Sequence, residues 1–323
     1  MKQPEPNPLS APIAAAVRAG LTASPKRLPP WLFYDEAGSR LFAQITELPE
    51  YYLTRTEREI LTKHAPSIIG RAAGEKRLRV AELGAGTADK TQLLLAAAVE
   101  RQGTVLYEPV DVSPSALSEA KSRIEAEIPG LRVAPQVADY TQGLNLDVHN
   151  GEERRLVLYI GSSIGNFDPV EALALLQKLR ATLAPGDSLL LGVDLVKSES
   201  ILLPAYDDAA GVTAAFNKNL LTRLNRELGA DFLSDRFDHR ALWNETASRM
   251  EMHLVSRVPQ SVRIAALDWT VEFAEGESIH TENSYKYPPG EAENLLAAAG
   301  FVPEESWTDE RRWFAVYLGR ANE

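Results

Sequence analysis

The chain contains no cysteine, which excludes disulfides, thiolate nucleophiles, iron–sulfur clusters and most structural zinc. It also lacks any apolar run approaching the roughly 18 residues a membrane span needs, and its first residues show no basic-then-apolar pattern. Neither membrane insertion nor export is expected, and a cytoplasmic location follows. Positive charge is in short supply, since 45 acidic against 34 basic side chains give a net charge of −11 and no basic stripe interrupts the excess. A phosphate backbone would be repelled, so nucleic acid is not an expected partner. The five histidines (His64, His149, His239, His253 and His280) are scattered and none stands in HExxH or another ligand spacing, so no metal is expected.

What remains is an ordinary globular balance, 45% hydrophobic and 24% charged over 323 residues. At about 150 residues per domain this predicts two compact units, or one large unit with an insertion. Pro4, Pro6, Pro8, Pro12, Pro25, Pro29 and Pro30 crowd the first 30 residues, where part of the chain is expected to be an extended arm. Aromatics then concentrate in Trp31, Phe33, Tyr34, Phe42, Tyr51 and Tyr52, as a packing cap or as a wall around a ligand.

From Leu78 short apolar runs alternate with helix-length segments. Strands are expected at 78–83, 104–110, 131–137, 156–160 and 188–193, with helices marked by 93–99, 114–127 and 170–183. The pattern predicts βαβ units on a doubly wound parallel sheet. Beyond Asp194, Val212, Phe216, Leu220, Leu224 and Leu228 recur every four residues, the stripe of a core-facing helix. Segments near 241–258 and 262–272 read as antiparallel strands, and 313–319 as a strand able to rejoin the first sheet. The expected fold class is therefore α/β, a Rossmann-like core carrying an inserted α+β domain.

The strongest local signal is Val80-Ala-Glu-Leu-Gly-Ala-Gly-Thr-Ala-Asp-Lys-Thr91, an apolar strand ending in a glycine turn. A nicotinamide fingerprint needs a third glycine where Asp89 stands, and a P-loop would need its second glycine at that same position. The third reading is the S-adenosylmethionine (SAM) loop of class I methyltransferases, an acid followed by G-x-G, which Glu82-Leu-Gly84-Ala-Gly86 satisfies. Asp111 ends the next strand, where a carboxylate can accept ribose hydroxyls, and Asp139-Tyr140 follow the third. Each acid has an alternative as a helix cap, Asp111 for the helix after Pro114. Together, at the ends of successive strands, they favour nucleotide binding. The fourth strand runs into Gly161-Ser-Ser-Ile-Gly-Asn166, an acceptor-side turn or a simple turn capped by Asn166 or Asp168. It lacks the Asn/Asp-Pro-Pro-Tyr pattern of nucleobase methylation.

Three further stretches turn this outline into a resemblance: Trp31-Leu-Phe-Tyr-Asp-Glu-Ala-Gly-Ser-Arg-Leu-Phe42, Leu48-Pro-Glu-Tyr-Tyr-Leu-Thr-Arg-Thr-Glu57, and Ile279-His-Thr-Glu-Asn-Ser-Tyr-Lys-Tyr287. With the glycine loop, Gly161–Asn166 and Tyr206, the chain resembles the histidine-specific SAM-dependent N-methyltransferases of ergothioneine biosynthesis over nearly its whole length. The resemblance implies a SAM-binding core over residues 60–196 and 286–323 and a substrate-binding domain over 1–59 and 197–285. It implies trimethylation of the α-amino group of free L-histidine to hercynine; independently of the resemblance, a monomer working without a metal is expected.

On the same resemblance Gly84, Lys90, Asp111, Asp139 and Tyr140 hold SAM, with Lys90 on the methionyl carboxylate. Asn166 and Tyr206 hold the histidine carboxylate, and Glu282 and Ser284 read the imidazole. Tyr34, Phe42, Tyr51 and Gly161 surround the amino group, Tyr34 being the candidate proton relay. Tyr140 stands where the family has Phe, and Ser162 replaces a second glycine; neither touches the imidazole-reading pair. The alternatives are an N-methyltransferase of another amino acid such as tryptophan, a nonenzymatic nucleotide-binding or docking module and, more distantly, a nicotinamide oxidoreductase.

Overall fold

The structure, a computed structural model, describes residues 10–86, 88–141, 143, 146 and 152–322. Thr87 of the glycine loop, His149, and Pro4, Pro6 and Pro8 of the expected arm lie outside them. In chain order the elements are α1 (Ser10–Thr22), β1 (Lys26–Arg27), α2 (Glu36–Glu47), α3 (Tyr52–Ala73), β2 (Arg77–Leu83), α4 (Gln92–Gln102), β3 (Val105–Asp111), α5 (Pro114–Glu127), β4 (Leu131–Val133), β5 (Gln136–Val137), β6 (Glu153–Tyr159), α6 (Pro169–Ala181) and β7 (Ser188–Asp194). After these come α7 (Glu199–Tyr206), α8 (Val212–Leu228), β8 (Phe237–Asn244), β9 (Arg249–Ser256), β10 (Gln260–Ile264), β11 (Trp269–Phe273), β12 (Ser278–Tyr285), α9 (Glu291–Ala298), β13 (Phe301–Thr308) and β14 (Phe314–Ala321). Contacts divide the chain into two units: an α+β unit, the chain up to Tyr52 with Lys197–Ser284, and an α/β unit, Leu53–Val196 with the chain from Tyr285 onward.

The α/β unit is built on an eight-stranded sheet of order β13-β14-β7-β6-β2-β3-β4, with β5 beside β3. Strands β2 to β7 pair in parallel. β14 lies antiparallel between β7 and β13, which is how the closing run rejoins the sheet. The expected Rossmann-like core is therefore present. Strand residues alternate between two apolar layers: Leu156 and Leu158 face Ile60, Ile68 and Leu94 on one side, while Val157 and Tyr159 join Leu176, Leu179 and Leu296 on the other. The order reverses between β2 and β6, so the carboxyl ends of these two strands frame the crevice where such sheets bind ligands.

In the α+β unit, β1, β12, β9 and β8 form one sheet and β10 and β11 a separate hairpin. The expected helical stripe is α8, which buries Phe216, Leu220, Leu224 and Leu228 together with Asn217. Three local expectations need correction. Residues 10–22 of the expected arm are helix, because Pro12 falls in the first turn, where its missing N–H costs nothing, and Ile13, Val17 and Leu21 form a buried stripe. The segments at 241–258 and 262–272 are each two strands, reversed after Asn244 and after Ile264. The run 131–137 breaks into two short strands at Ala134-Pro135. Among the described residues no helix is long and apolar enough to cross a membrane.

Candidate active site

The glycine loop leaves β2 with Gly84 at φ +67° and Gly86 at φ +51°, backbone conformations that suit glycine. A Cβ at Gly84 would lie 3.7 Å from the Tyr140 ring, an ordinary contact, and one at Gly86 would meet nothing within 4 Å, so it is the positive φ that calls for glycine at both. Asp111 is not the helix cap; Ser113 caps α5, accepting from Ala116 N–H at 3.3 Å. The Asp111 carboxylate accepts instead from Gly86 N–H at 3.0 Å and Ser113 N–H at 2.9 Å, which leaves acceptor capacity for a diol. Asp139 anchors its own turn through the N–H and hydroxyl of Thr141. Tyr140 packs edge-on against Tyr159, their centroids 5.7 Å apart, and burial raises its pKa. These residues fit an adenosyl group: unhindered backbone, an aromatic face and acids at successive strand ends.

Glu82, the acid of the loop motif, works behind the loop. Its carboxylate accepts from the Thr91 hydroxyl at 2.7 Å and from Tyr107, tying the far end of the loop to β3. Burial pushes its pKa up to about 7, although both hydroxyls favour the anion. Lys90 has a protein partner absent from the sequence reading, for its ammonium pairs with the fully buried carboxylate of Glu57 on α3. That same carboxylate accepts from Gly161 N–H at 2.8 Å, joining the glycine loop to the end of β6. Glu57 was legible only as an acid standing three and four residues before the buried Ile60 and Leu61, on the face the helix buries.

From Gly161 (φ +78°) and Ser162 (φ +58°) the chain turns into a short 3-10 helix, Ser163–Asn166, that places the half-buried Asn166. Asp168 then caps α6 in a capping box with Glu171. Ser162 Oγ accepts from Asp194 N–H at 2.9 Å, and Asp194 is ion-paired with Lys286 at 2.8 Å, both side chains fully buried.

In the α+β unit Tyr34, Phe42 and Tyr51 do converge. Tyr34 meets Phe42 edge-on at 5.8 Å and Phe42 meets Tyr51 at 6.2 Å. Phe216 of α8, legible in the sequence only as part of the core stripe, touches both Tyr34 and Phe42. The Tyr206 hydroxyl, at the end of α7, lies 2.8 Å from the buried Ser284 hydroxyl on β12. Two residues expected at opposite ends of a ligand thus share a hydrogen bond. Glu282 is half-buried two positions before Ser284, on the same face of the strand.

Strand pairing also unites histidines that are distant in sequence. His253 and His280 stack at 4.8 Å, and with Glu251 their ligand atoms lie within 4.8 Å of one another. His253 bonds Glu251 at 3.1 Å and His280 donates to the Glu282 carbonyl at 3.0 Å, bonds that account for their proximity. Burial holds His239, His253 and His280 below the ordinary value of 6.5. Burial alone would raise Glu251, but hydrogen bonds from Asn244, Arg249 and His253 take it down to about 2.

Below pH 6.5 the unfolded chain therefore binds protons that the folded unit refuses, so the stability contributed by these groups is complete above 6.5 and falls as the pH drops through it. Protonation of Glu251 adds a second loss between 4.5 and about 2. The urea midpoint followed at Trp243 and Trp269 is expected to decline between about pH 7.5 and about pH 5.5; a flat midpoint would contradict buried neutral imidazoles.

Comparison with known proteins gives a consistent result. The family model described as "Histidine-specific methyltransferase, SAM-dependent" matches residues 13–321. A histidine N-alpha-methyltransferase of Mycolicibacterium smegmatis is 49% identical, the match covering 94% of this chain and 92% of that protein. One of Mycobacterium tuberculosis is 44% identical over the same shares. Ergothioneine biosynthesis protein 1 of Neurospora crassa is 29% identical over 88% of this chain and 32% of that much longer protein.

Proposed function

The chain belongs to the SAM-dependent histidine-specific methyltransferases, and from that premise we propose that it trimethylates the α-amino group of free L-histidine, giving hercynine for ergothioneine biosynthesis. The observation that carries the substrate is the polar edge of β12. There a buried Ser284 hydroxyl, bonded to Tyr206, shares a strand face with the Glu282 carboxylate. An imidazole offers one N–H for the carboxylate and a second nitrogen for the hydroxyl. An indole would leave the carboxylate poorly paired, at a cost of about 1–3 kcal/mol or more.

SAM supplies an electrophilic methyl carbon on a sulfonium. In this reading Gly84, Asp111, Asp139 and Tyr140 hold its adenosyl part, and Lys90, steadied by Glu57, takes its carboxylate. Asn166 and Tyr206 take the histidine carboxylate. Attack requires a neutral amine, and Tyr34, directly or through a water it orders, relays the proton. The trimethylated product has no N–H to donate, so hydrogen bonds fail in the later rounds. Aromatic faces do not, at roughly 0.5–2 kcal/mol per cation–π contact, and the cluster of Tyr34, Phe42 and Tyr51 provides them.

Mass spectrometry of an amino-acid pool after incubation with SAM tests the reading directly. Three methyl groups on histidine alone are expected. Methylation of tryptophan instead, or SAM binding without turnover on any amino acid, would replace the proposal with one of its alternatives. Asn166→Ala is expected to weaken histidine binding about tenfold or more, the loss of a charge-assisted hydrogen bond of about 1.5–3 kcal/mol. Unchanged histidine affinity by titration would remove Asn166 from this role.

A further inference from the structure

We propose that Asn217 and His239 are positioning residues for histidine binding: a buried relay from Thr281 through Asn217 and His239 to the Tyr206 carbonyl holds the residues that receive the amino acid. The inference rests on the histidine assignment above and extends it to side chains that touch no ligand in that assignment.

The relay begins where a helix ends. The carbonyl of Tyr206, the last residue of α7, lies beyond the reach of the helix's own donors and receives one from His239 Nε2 at 2.8 Å. A carbonyl can only accept, so the proton sits on Nε2 and Nδ1 presents a lone pair. Asn217 Nδ2 donates to that lone pair at 2.9 Å and, with its second proton, to the His253 carbonyl at 3.1 Å. Asn217 Oδ1 accepts from the Thr281 hydroxyl at 2.8 Å, a hydroxyl that also lies 3.0 Å from the Met252 carbonyl. The amide thus has both donors and its oxygen engaged, with no exposed surface. A flipped amide would set its oxygen against the Nδ1 lone pair and the His253 carbonyl, so only one orientation satisfies the network.

Two consequences follow for the site. Tyr206 is clamped at both ends, its hydroxyl by Ser284 and its carbonyl by His239. Thr281, on the strand face opposite Glu282 and Ser284, lets α8 grip β12 from behind at the position preceding Glu282. Asn217 therefore couples the backbone that carries Glu282 and Ser284 to the helix end that carries Tyr206. Breaking the coupling leaves every proposed ligand-contacting group in place but lets the two elements drift, and displacements of about 1 Å cost up to about a hundredfold.

The test compares Asn217→Leu, His239→Leu and His239→Gln, each checked for folding by thermal melting. Gln can still donate to the Tyr206 carbonyl; Leu cannot. Asn217→Leu and His239→Leu are expected to raise KM for histidine about tenfold or more, with the SAM dissociation constant held within about twofold, whereas His239→Gln stays within about threefold of the parent. Unchanged histidine KM in a folded Leu variant, or equal loss of SAM and histidine binding, would overturn the proposal. So would equal impairment by His239→Gln and His239→Leu. Nitrogen-15 spectra of the unmodified protein decide the relay even where a variant fails to fold: a His239 protonated at Nε2 alone is expected, and a proton on Nδ1 would overturn it. If the parent protein methylates no histidine, the functional assignment fails by that result, while the imidazole spectrum still reports on the relay.

Discussion

Glu282→Ala is expected to lower kcat/KM for histidine about a hundredfold or more while the SAM dissociation constant changes by less than about twofold. The size follows from the kind of interaction lost. A carboxylate accepting an imidazole N–H contributes a charge-assisted hydrogen bond, and its removal from the half-buried position of Glu282 leaves the substrate N–H without its charged partner. Sites built around a polar group of the substrate discriminate far more strongly than sites built on fit alone. The split between substrates is the sensitive part. Glu282 lies on β12, whereas Gly84, Lys90, Asp111, Asp139 and Tyr140 belong to the α/β unit, so a local role predicts no shared effect. Glu282→Gln, which keeps an acceptor oxygen without the charge, is expected to fall between parent and Ala. Parallel isothermal titrations with SAM and with histidine check the outcome, and equal weakening of both would contradict the imidazole-reading role.

The parallel sheet was legible because its strands are buried on both faces, giving uninterrupted apolar runs such as Leu156–Tyr159, soon followed by Gly161. The glycine turns at the strand ends were legible for a related reason. Gly84, Gly86 and Gly161 sit where the backbone takes a positive φ, and such positions stand out in a linear sequence. What the sequence concealed were the supporting polar groups. Glu57, Asn217, His239 and Lys286 are each buried, and their partners come from distant segments, so no local spacing announces them. Asn217 sits inside an apolar helical stripe, where a polar residue reads as an imperfection until Thr281 and His239 arrive around it. The hairpins were blurred because Ser248 and Asp268 take left-handed conformations without glycine, so the usual turn signature is missing.

Lys286→Met is expected to be the most destabilising of these changes, by about 3–5 kcal/mol, because it strips the cation from a carboxylate that has no access to water. Asp194 is the last residue of β7, and its backbone is engaged on both sides, the N–H by Ser162 Oγ and the carbonyl by Tyr287 N–H at 2.8 Å. With no exposed surface at Asp194, the carboxylate reaches solvent only if this backbone moves, so the charge must stay buried or take up a proton. The second change decides between pairing and bulk. Lys286→Met combined with Asp194→Leu removes both charges and is expected to recover most of the loss, since replacing a buried pair by apolar groups is often neutral, whereas removing one partner is not. Urea unfolding followed at Trp307 and Trp313 measures each variant, and a double variant no more stable than Lys286→Met would show that packing rather than charge governs the site. The same pair bears on the proposed histidine contact through Ser162, whose left-handed backbone begins the turn that places Asn166. Of the single variants at this pair, Asp194→Asn keeps the backbone bonds and an oxygen for the ammonium, so it is expected to lose less stability than Lys286→Met and to retain histidine binding, because the geometry of the turn survives.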